Sequence, residues 1–213
     1  MDKTELRAQR LAARSRMLPD ERTAASRALR DVVLEIPQVE MAGTIAAYHS
    51  AGTEPGTHSL LYALWKRGTY VLLPILLPDG DLDWASFEGP DSLVPGPHGL
   101  REPGEPPRGP DAVSRADVVL VPALAVDRTG NRLGRGGGSY DRALARVAPL
   151  IPAIALLYDD ELLPAIPTAP HDQPVTHAAR PSHGVHPLGQ RPGSITWSPR
   201  LRGRLGQLRD SLR

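Results

Sequence analysis

"ADVVLVPALAVDRTGNRLGRGGGSYDRALARVAPLIPAIALLY", residues 116–158, is the stretch on which the fold turns. Its ends, "ADVVLVPAL" (116–124) and "IPAIALLY" (151–158), are near-continuous apolar runs, the pattern of strands buried on both faces. Between them lie a glycine-rich segment and then a helical stretch from about Tyr140 to Val147. Strand, loop, helix and strand in that order predict an α/β protein. The expected architecture is a three-layer fold with a mainly parallel central sheet and helices on both faces.

The rest of the chain keeps to this alternation. Apolar positions at Leu6, Ala8, Leu11, Ala12 and Met17 predict a helix over 3–17. A second helix should start near "LPDERT", with Pro19 in its first turn, and stop at about Glu35 before Pro37. "GTIAAY" (43–48) reads as a strand, "HSLLYALWKRG" (58–68) as a helix closed by glycine, and "YVLLPIL" (70–76) and "LDWASF" (82–87) as strands. Residues 88–110, dense in Gly and Pro, read as loop. One domain is expected over 1–197. In the final "SPRLRGRLGQLRDSLR" (198–213), Leu201, Leu205, Leu208 and Leu212 fall at helical spacing, so an amphipathic helix packed on the domain or mobile beside it is expected.

Composition narrows the function. The formal net charge is only +1, without the basic excess of a dedicated nucleic-acid binder. Cysteine is absent, which excludes disulfides, thiolate metal sites and cysteine nucleophiles. The N-terminal "MDKTELRAQRLAARSRM" has no apolar core of a secretory signal, and no apolar run approaches the ~20 residues of a membrane span. A cytoplasmic protein with small-molecule substrates, and with no nucleic-acid, membrane or obligate protein partner, is the expectation.

"GNRLGRGGGSYDR" (130–142) carries the chemistry. Backbone without Cβ atoms approaches an anion closely, and Arg132 and Arg135 beside Gly134, Gly136, Gly137 and Gly138 supply positive charge. No Lys-Ser or Lys-Thr follows, so this is not a P-loop, and the dinucleotide fingerprint is absent too. RNA-binding arginine–glycine segments look similar but recur in long low-complexity regions. This one occurs once, between ordered elements.

The stretch "VPALAVDRTGNRLGRGGGSYDR" resembles the signature of the 5-formyltetrahydrofolate cyclo-ligase (methenyltetrahydrofolate synthetase) family. The resemblance extends to "KTELR" near the N-terminus, "YHSAGTEPGT" after the first strand, "GLREP" and the late "PHDQPV", covering roughly residues 3 to 176. It implies an enzyme that uses ATP and Mg²⁺ to cyclise 5-formyltetrahydrofolate to 5,10-methenyltetrahydrofolate. Carried over by position, Lys3, Arg7 and the loop Arg132, Leu133, Gly134, Arg135, Gly136, Gly137, Gly138, Ser139 and Tyr140 hold ATP. His49, Glu54 and Tyr140 bind the folate, Asp141 and Asp172 hold Mg²⁺, and Arg135, Tyr140 and Asp141 are the catalytic candidates.

By residue type alone each has a plainer role. Lys3 and Arg7 suit a solvated helix face, Glu54 an exposed loop, Asp141 a helix cap and Asp172 a turn. His171, His177, His183 and His186 fit no standard metal spacing and read as surface residues. Ser139 stands where the family has an aromatic residue, which opens one wall of the site. Arg180 stands where relatives carry Thr; pointing inward it is costly unless paired, so the chain after 176 is expected to diverge or be mobile. Two other functions remain: the same ATP loop serving another formamide or carboxylate, and a nucleotide- or RNA-binding protein without turnover.

Overall fold

Alternate residues of the central strands face opposite layers of the computed structural model, which describes residues 2–189. Ile45, Val118, Leu120, Ile154 and Leu156 join one core with Leu29, Val33, Leu60 and Leu64. Their neighbours Ala46, Val119, Val121, Ala153 and Ala155 join a second core with Ala143, Leu144 and Val147. Strands buried on both faces need no polar alternation, which explains the continuous apolar runs.

Helices α1 (Lys3–Arg16), α2 (Pro19–Leu34) and α3 (Pro37–Glu40) lead into β1 (Thr44–Ala46) and α4 (His58–Lys66). Strands β2 (Tyr70–Leu76), β3 (Leu82–Ser86), β4 (Leu93–Pro95) and β5 (Arg101–Pro103) follow. Next come β6 (Val118–Pro122), β7 (Ala125–Asp127), β8 (Arg132–Leu133) and α5 (Ser139–Ala145). The described chain closes with β9 (Ala153–Leu156), β10 (Leu162–Leu163), β11 (His177–Arg180) and β12 (Gly184–Pro187).

The main sheet has the order β12-β11-β9-β6-β1-β2-β3. Its five inner strands are parallel, and both edge strands pair antiparallel. Helices α2 and α4 cover one face; α5 and a 3-10 segment, Pro110–Arg115, cover the other. This is the expected three-layer arrangement. From β1 the chain moves to β2 on one side, and from β6 it moves to β9 on the other. The order therefore reverses between β1 and β6, where a crevice opens beyond the carboxyl ends of the strands.

Three expectations need correction. Residues 88–110 are not all loop, because Leu93–Pro95 and Arg101–Pro103 form an antiparallel hairpin; its prolines and glycines hid it. The chain after 176 is ordered: β11 extends the parallel sheet on β9, and β12 folds back on it. Arg180, at the end of β11, is not left bare, since Nη1 donates to the Asp159 carbonyl at 3.0 Å. The glycine-rich segment also begins as a small hairpin, β7–β8. Buried Asp127 organises its turn, accepting from the N–H groups of Thr129, Asn131 and Ile166 at 2.9, 3.0 and 3.1 Å. Gly130 adopts φ +93°, and a Cβ there would run into the Val175 carbonyl. The helix expected over 198–213 lies outside the described residues.

Candidate functional site

A cavity of about 800 Å³ fills the crevice at the strand reversal. Tyr48, His49 and Glu54 enter it from the segment after β1, and Pro122, Ala123 and Leu124 from the end of β6. Lys3 and Arg7 of α1, the glycine loop, Asp141 and Asp172 close it. Every candidate residue from the sequence lines this one cavity.

The glycine loop is held from behind. Leu133 packs its buried side chain with Leu6 of α1, Leu124 and Ile166, which docks α1 beside the loop. Arg132 is 4% exposed and donates Nη2 to Asp141 Oδ1 at 2.8 Å. It is thus a buried, paired cation rather than a free one. Arg7 Nε donates to the Gly134 carbonyl at 2.9 Å, which brings α1 to the loop. Gly136 (φ +108°) faces the Arg7 guanidinium, and Gly138 (φ +69°) turns the chain into α5. Ser139 Oγ donates to the Gly80 carbonyl at 2.5 Å, and Arg142 Nη2 does the same. Both tether the loop to the turn between β2 and β3.

Lys3 and Arg7 are not a solvated face. Lys3 Nζ meets Asp172 Oδ2 at 2.5 Å. Asp172 Oδ2 also accepts the Ala169 N–H at 2.7 Å, so its carboxylate pKa is depressed, burial notwithstanding. Asp141 caps nothing: Gly138 is the N-cap of α5, and Asp141 Oδ1 accepts from Arg132 and from the Gln173 N–H at 3.1 Å. The second oxygens differ from the first. Asp141 Oδ2 has no hydrogen-bond partner among the described residues, and Asp172 Oδ1 has only the His171 ring, 3.8 Å away. Among the described residues no three metal-ligating side chains cluster. Two hard carboxylate oxygens on one cavity nevertheless fit Mg²⁺, which binds through one or two carboxylates completed by water and phosphate.

The opposite wall is the loop after β1. Thr57 stitches it, donating Oγ1 to the Tyr48 carbonyl at 2.7 Å and accepting the Ser50 N–H at 2.9 Å. His49 stacks on His58 with ring centroids 4.1 Å apart; burial first, then His58 and Arg101, lower its pKa to about 4. Its ring is therefore neutral near pH 7. Glu54 Oε2 accepts the Ala51 N–H at 2.9 Å, and Oε1 meets Arg135 Nε at 3.2 Å. Arg135 belongs to the glycine loop, so this ion pair spans the cavity. Tyr140 is packed against both cores, yet its buried hydroxyl has no partner among the described residues.

Arg14 and Tyr48 are among the lining residues that the sequence reading does not single out. Arg14 is fully buried, and its spacing of four and seven from Lys3 through Arg7 puts all three on one helix face, a signal that was available. Tyr48 appears in the sequence only as the end of a strand, and nothing local marks its hydroxyl as buried and unpartnered.

A family model described as the 5-formyltetrahydrofolate cyclo-ligase family matches residues 1–181. The chain is similar to 5-formyltetrahydrofolate cyclo-ligase of Mycolicibacterium smegmatis, 46% identical over 147 residues, covering 67% of this chain and 75% of that one. It is 30% identical over 176 residues to the Escherichia coli K12 protein of the same name, covering 79% and 94%. Among solved structures, 5,10-methenyltetrahydrofolate synthetase of Aquifex aeolicus matches with a TM-score of 0.77 at 26% identity, covering 93% of this chain and 97% of the other.

Proposed function

The chain belongs to the 5-formyltetrahydrofolate cyclo-ligase family, and from that premise we propose that its cavity uses ATP to convert 5-formyltetrahydrofolate into 5,10-methenyltetrahydrofolate, ADP and phosphate. An amide oxygen is a poor leaving group, so N10 does not expel it directly. In the proposed sequence the formyl oxygen attacks the γ-phosphorus and ADP departs. N10 then adds to the formyl carbon, the C–O bond breaks, phosphate leaves and N10 loses its proton. Catalysis of this kind is positioning and charge neutralisation.

The observation that carries the reading is the 3.2 Å contact between Arg135 and Glu54. It brings the phosphate-binding loop and a carboxylate suited to the two N–H donors of a pterin edge into one cavity. Lys3, Arg7 and the backbone of Gly134 to Ser139 would hold the nucleotide, with Arg135 at the transferring phosphoryl group. Glu54 and neutral His49 would orient the folate, with Tyr140 between the two substrates. Asp141 and Asp172 would hold Mg²⁺ through their free oxygens, and the ion when bound would neutralise phosphate charge. The reading needs no nucleic acid and no protein partner, and places the enzyme in the cytoplasm. Among the described residues no helix is long and apolar enough to cross a membrane.

The test is direct. Purified protein with ATP, Mg²⁺ and 5-formyltetrahydrofolate should develop the near-UV band of the methenyl product, and omission of ATP should abolish it. Turnover of another formamide with no reaction of 5-formyltetrahydrofolate would replace the folate reading.

A further inference from the structure

Arg14 has an unusual position for a cation on the last turns of a helix. Its side chain is 2% exposed, yet it lines the cavity. Nε and Nη2 fork onto Glu161 Oε1 and Oε2 at 2.7 and 2.8 Å, and Nη2 also reaches the Ala123 carbonyl at the end of β6 at 2.5 Å. Glu161 is held in turn by the Tyr158 N–H at 2.9 Å. Nη1 makes no hydrogen bond to any described residue. A buried guanidinium clamped on two nitrogens presents its third in a fixed direction.

Two neighbours connect this donor with the segment that carries Glu54. The Tyr158 ring lies 5.4 Å from the Arg14 guanidinium carbon, and its hydroxyl donates to the Thr53 carbonyl, one residue before Glu54. The Tyr48 hydroxyl is pushed well up in pKa by burial, then further by the Glu54 carboxylate, while Arg14 opposes the shift. Tyr48 lines the same cavity as both, and its hydroxyl is buried with no partner among the described residues. An unpartnered buried hydroxyl costs stability and calls for a reason.

Building on the folate reading above, we propose that Arg14 Nη1 and the Tyr48 hydroxyl bind the ring carbonyl oxygen of a 4-oxo pteridine, next to the N–H donors taken by Glu54. A carboxylate alone reads the N–H groups of that edge and leaves its carbonyl oxygen undiscriminated. A carboxylate with a buried guanidinium and a phenol beside it matches the whole donor–acceptor pattern. Arg14 and Tyr48 are in this sense specificity-determining residues.

The experiment is calorimetric titration of 5-formyltetrahydrofolate, its 4-amino-4-deoxy counterpart and a non-hydrolysable ATP analogue into three proteins. These are the wild type, Tyr48→Phe, and the double variant Arg14→Met with Glu161→Met. Replacing both members of the pair leaves no lone buried charge, so the double variant is expected to fold. Loss of a hydrogen bond should weaken the 4-oxo ligand about fivefold in Tyr48→Phe and about tenfold or more in the double variant. Affinity for the 4-amino ligand and for the nucleotide should hardly change, and Tyr48→Phe should melt no lower than wild type. Equal weakening of both pteridines, or an unaltered preference in both variants, overturns the proposal. A wild type that binds the ATP analogue and neither pteridine overturns the folate reading instead, and this inference with it.

Discussion

The two walls of the cavity are built in opposite ways. The glycine-loop wall is nearly one continuous segment, and several of its polar groups are engaged behind it: Arg132 with Asp141, Ser139 with Gly80, Arg7 with Gly134. The wall after β1 draws Tyr48, His49, Glu54 and Arg14 from two distant segments, and the hydroxyl of Tyr48 is buried without a partner among the described residues. The first wall carries its own internal support. The second is assembled by tertiary contacts, and among the described residues the Tyr48 hydroxyl and Arg14 Nη1 have no partner.

The sharpest way to break this contrast is to remove the support. Asp141→Ala leaves the guanidinium of Arg132, 4% exposed, without its counter-ion. That should cost about 3 kcal/mol or more of stability. Asp172→Ala frees Lys3, which is 22% exposed and can turn to water, so about 1 kcal/mol is expected. Urea unfolding of both variants reads the asymmetry, and a magnesium titration of initial rate should show both needing more Mg²⁺. Equal stability losses would mean that the loop is not supported as described.

On the opposite wall, Glu54→Gln should weaken 5-formyltetrahydrofolate by about 2 kcal/mol, roughly thirtyfold, because a charge-assisted contact is lost. The ATP analogue should bind as before. Titration of each ligand separately makes the comparison, and comparable losses for both would merge the two walls into one functional unit.

The contact between Arg135 and Glu54 joins the walls, and it predicts coupling. Each ligand competes with the ion pair for one of its members, so the first to bind relieves the second of breaking it. Arg135 is 54% exposed, which limits the pair to about 0.5 kcal/mol and the synergy to two- or threefold. Folate affinity measured with and without the ATP analogue tests this, and the synergy should vanish in Arg135→Gln. Persistence in the variant would assign the coupling to another contact.

The last comparison concerns His49 and is confined to acid pH. Its pKa of about 4 in the folded chain lies below the ordinary 6.5, so between those values the unfolded chain binds the more protons. Stability should therefore fall as pH drops through that window. The melting temperature of His49→Gln should fall less steeply with acid than that of wild type, and identical slopes would clear His49 of the role.

Features that depend on local order are legible in the chain. Apolar runs at 116–124 and 151–158 specify strands buried on both faces, and these with the helical periods around them specify the layered α/β fold. Glycines and arginines close together at 132–138 specify a flexible-backbone loop with positive charge beside it, because neighbours in the chain stay neighbours in space. Tertiary structure alone decided which charges remain free. Arg132 and Arg135 are indistinguishable in the sequence, yet one is buried on Asp141 and the other spans the cavity to Glu54. The hairpin of β4 and β5 was illegible for a similar reason, since strand pairing is satisfied by a partner and not by local propensity. The burial of Arg14 and the sealed hydroxyl of Tyr48 arise where α1, β1 and the ends of β6 and β9 converge. Burial and pairing are properties of that convergence, so no single segment encodes them.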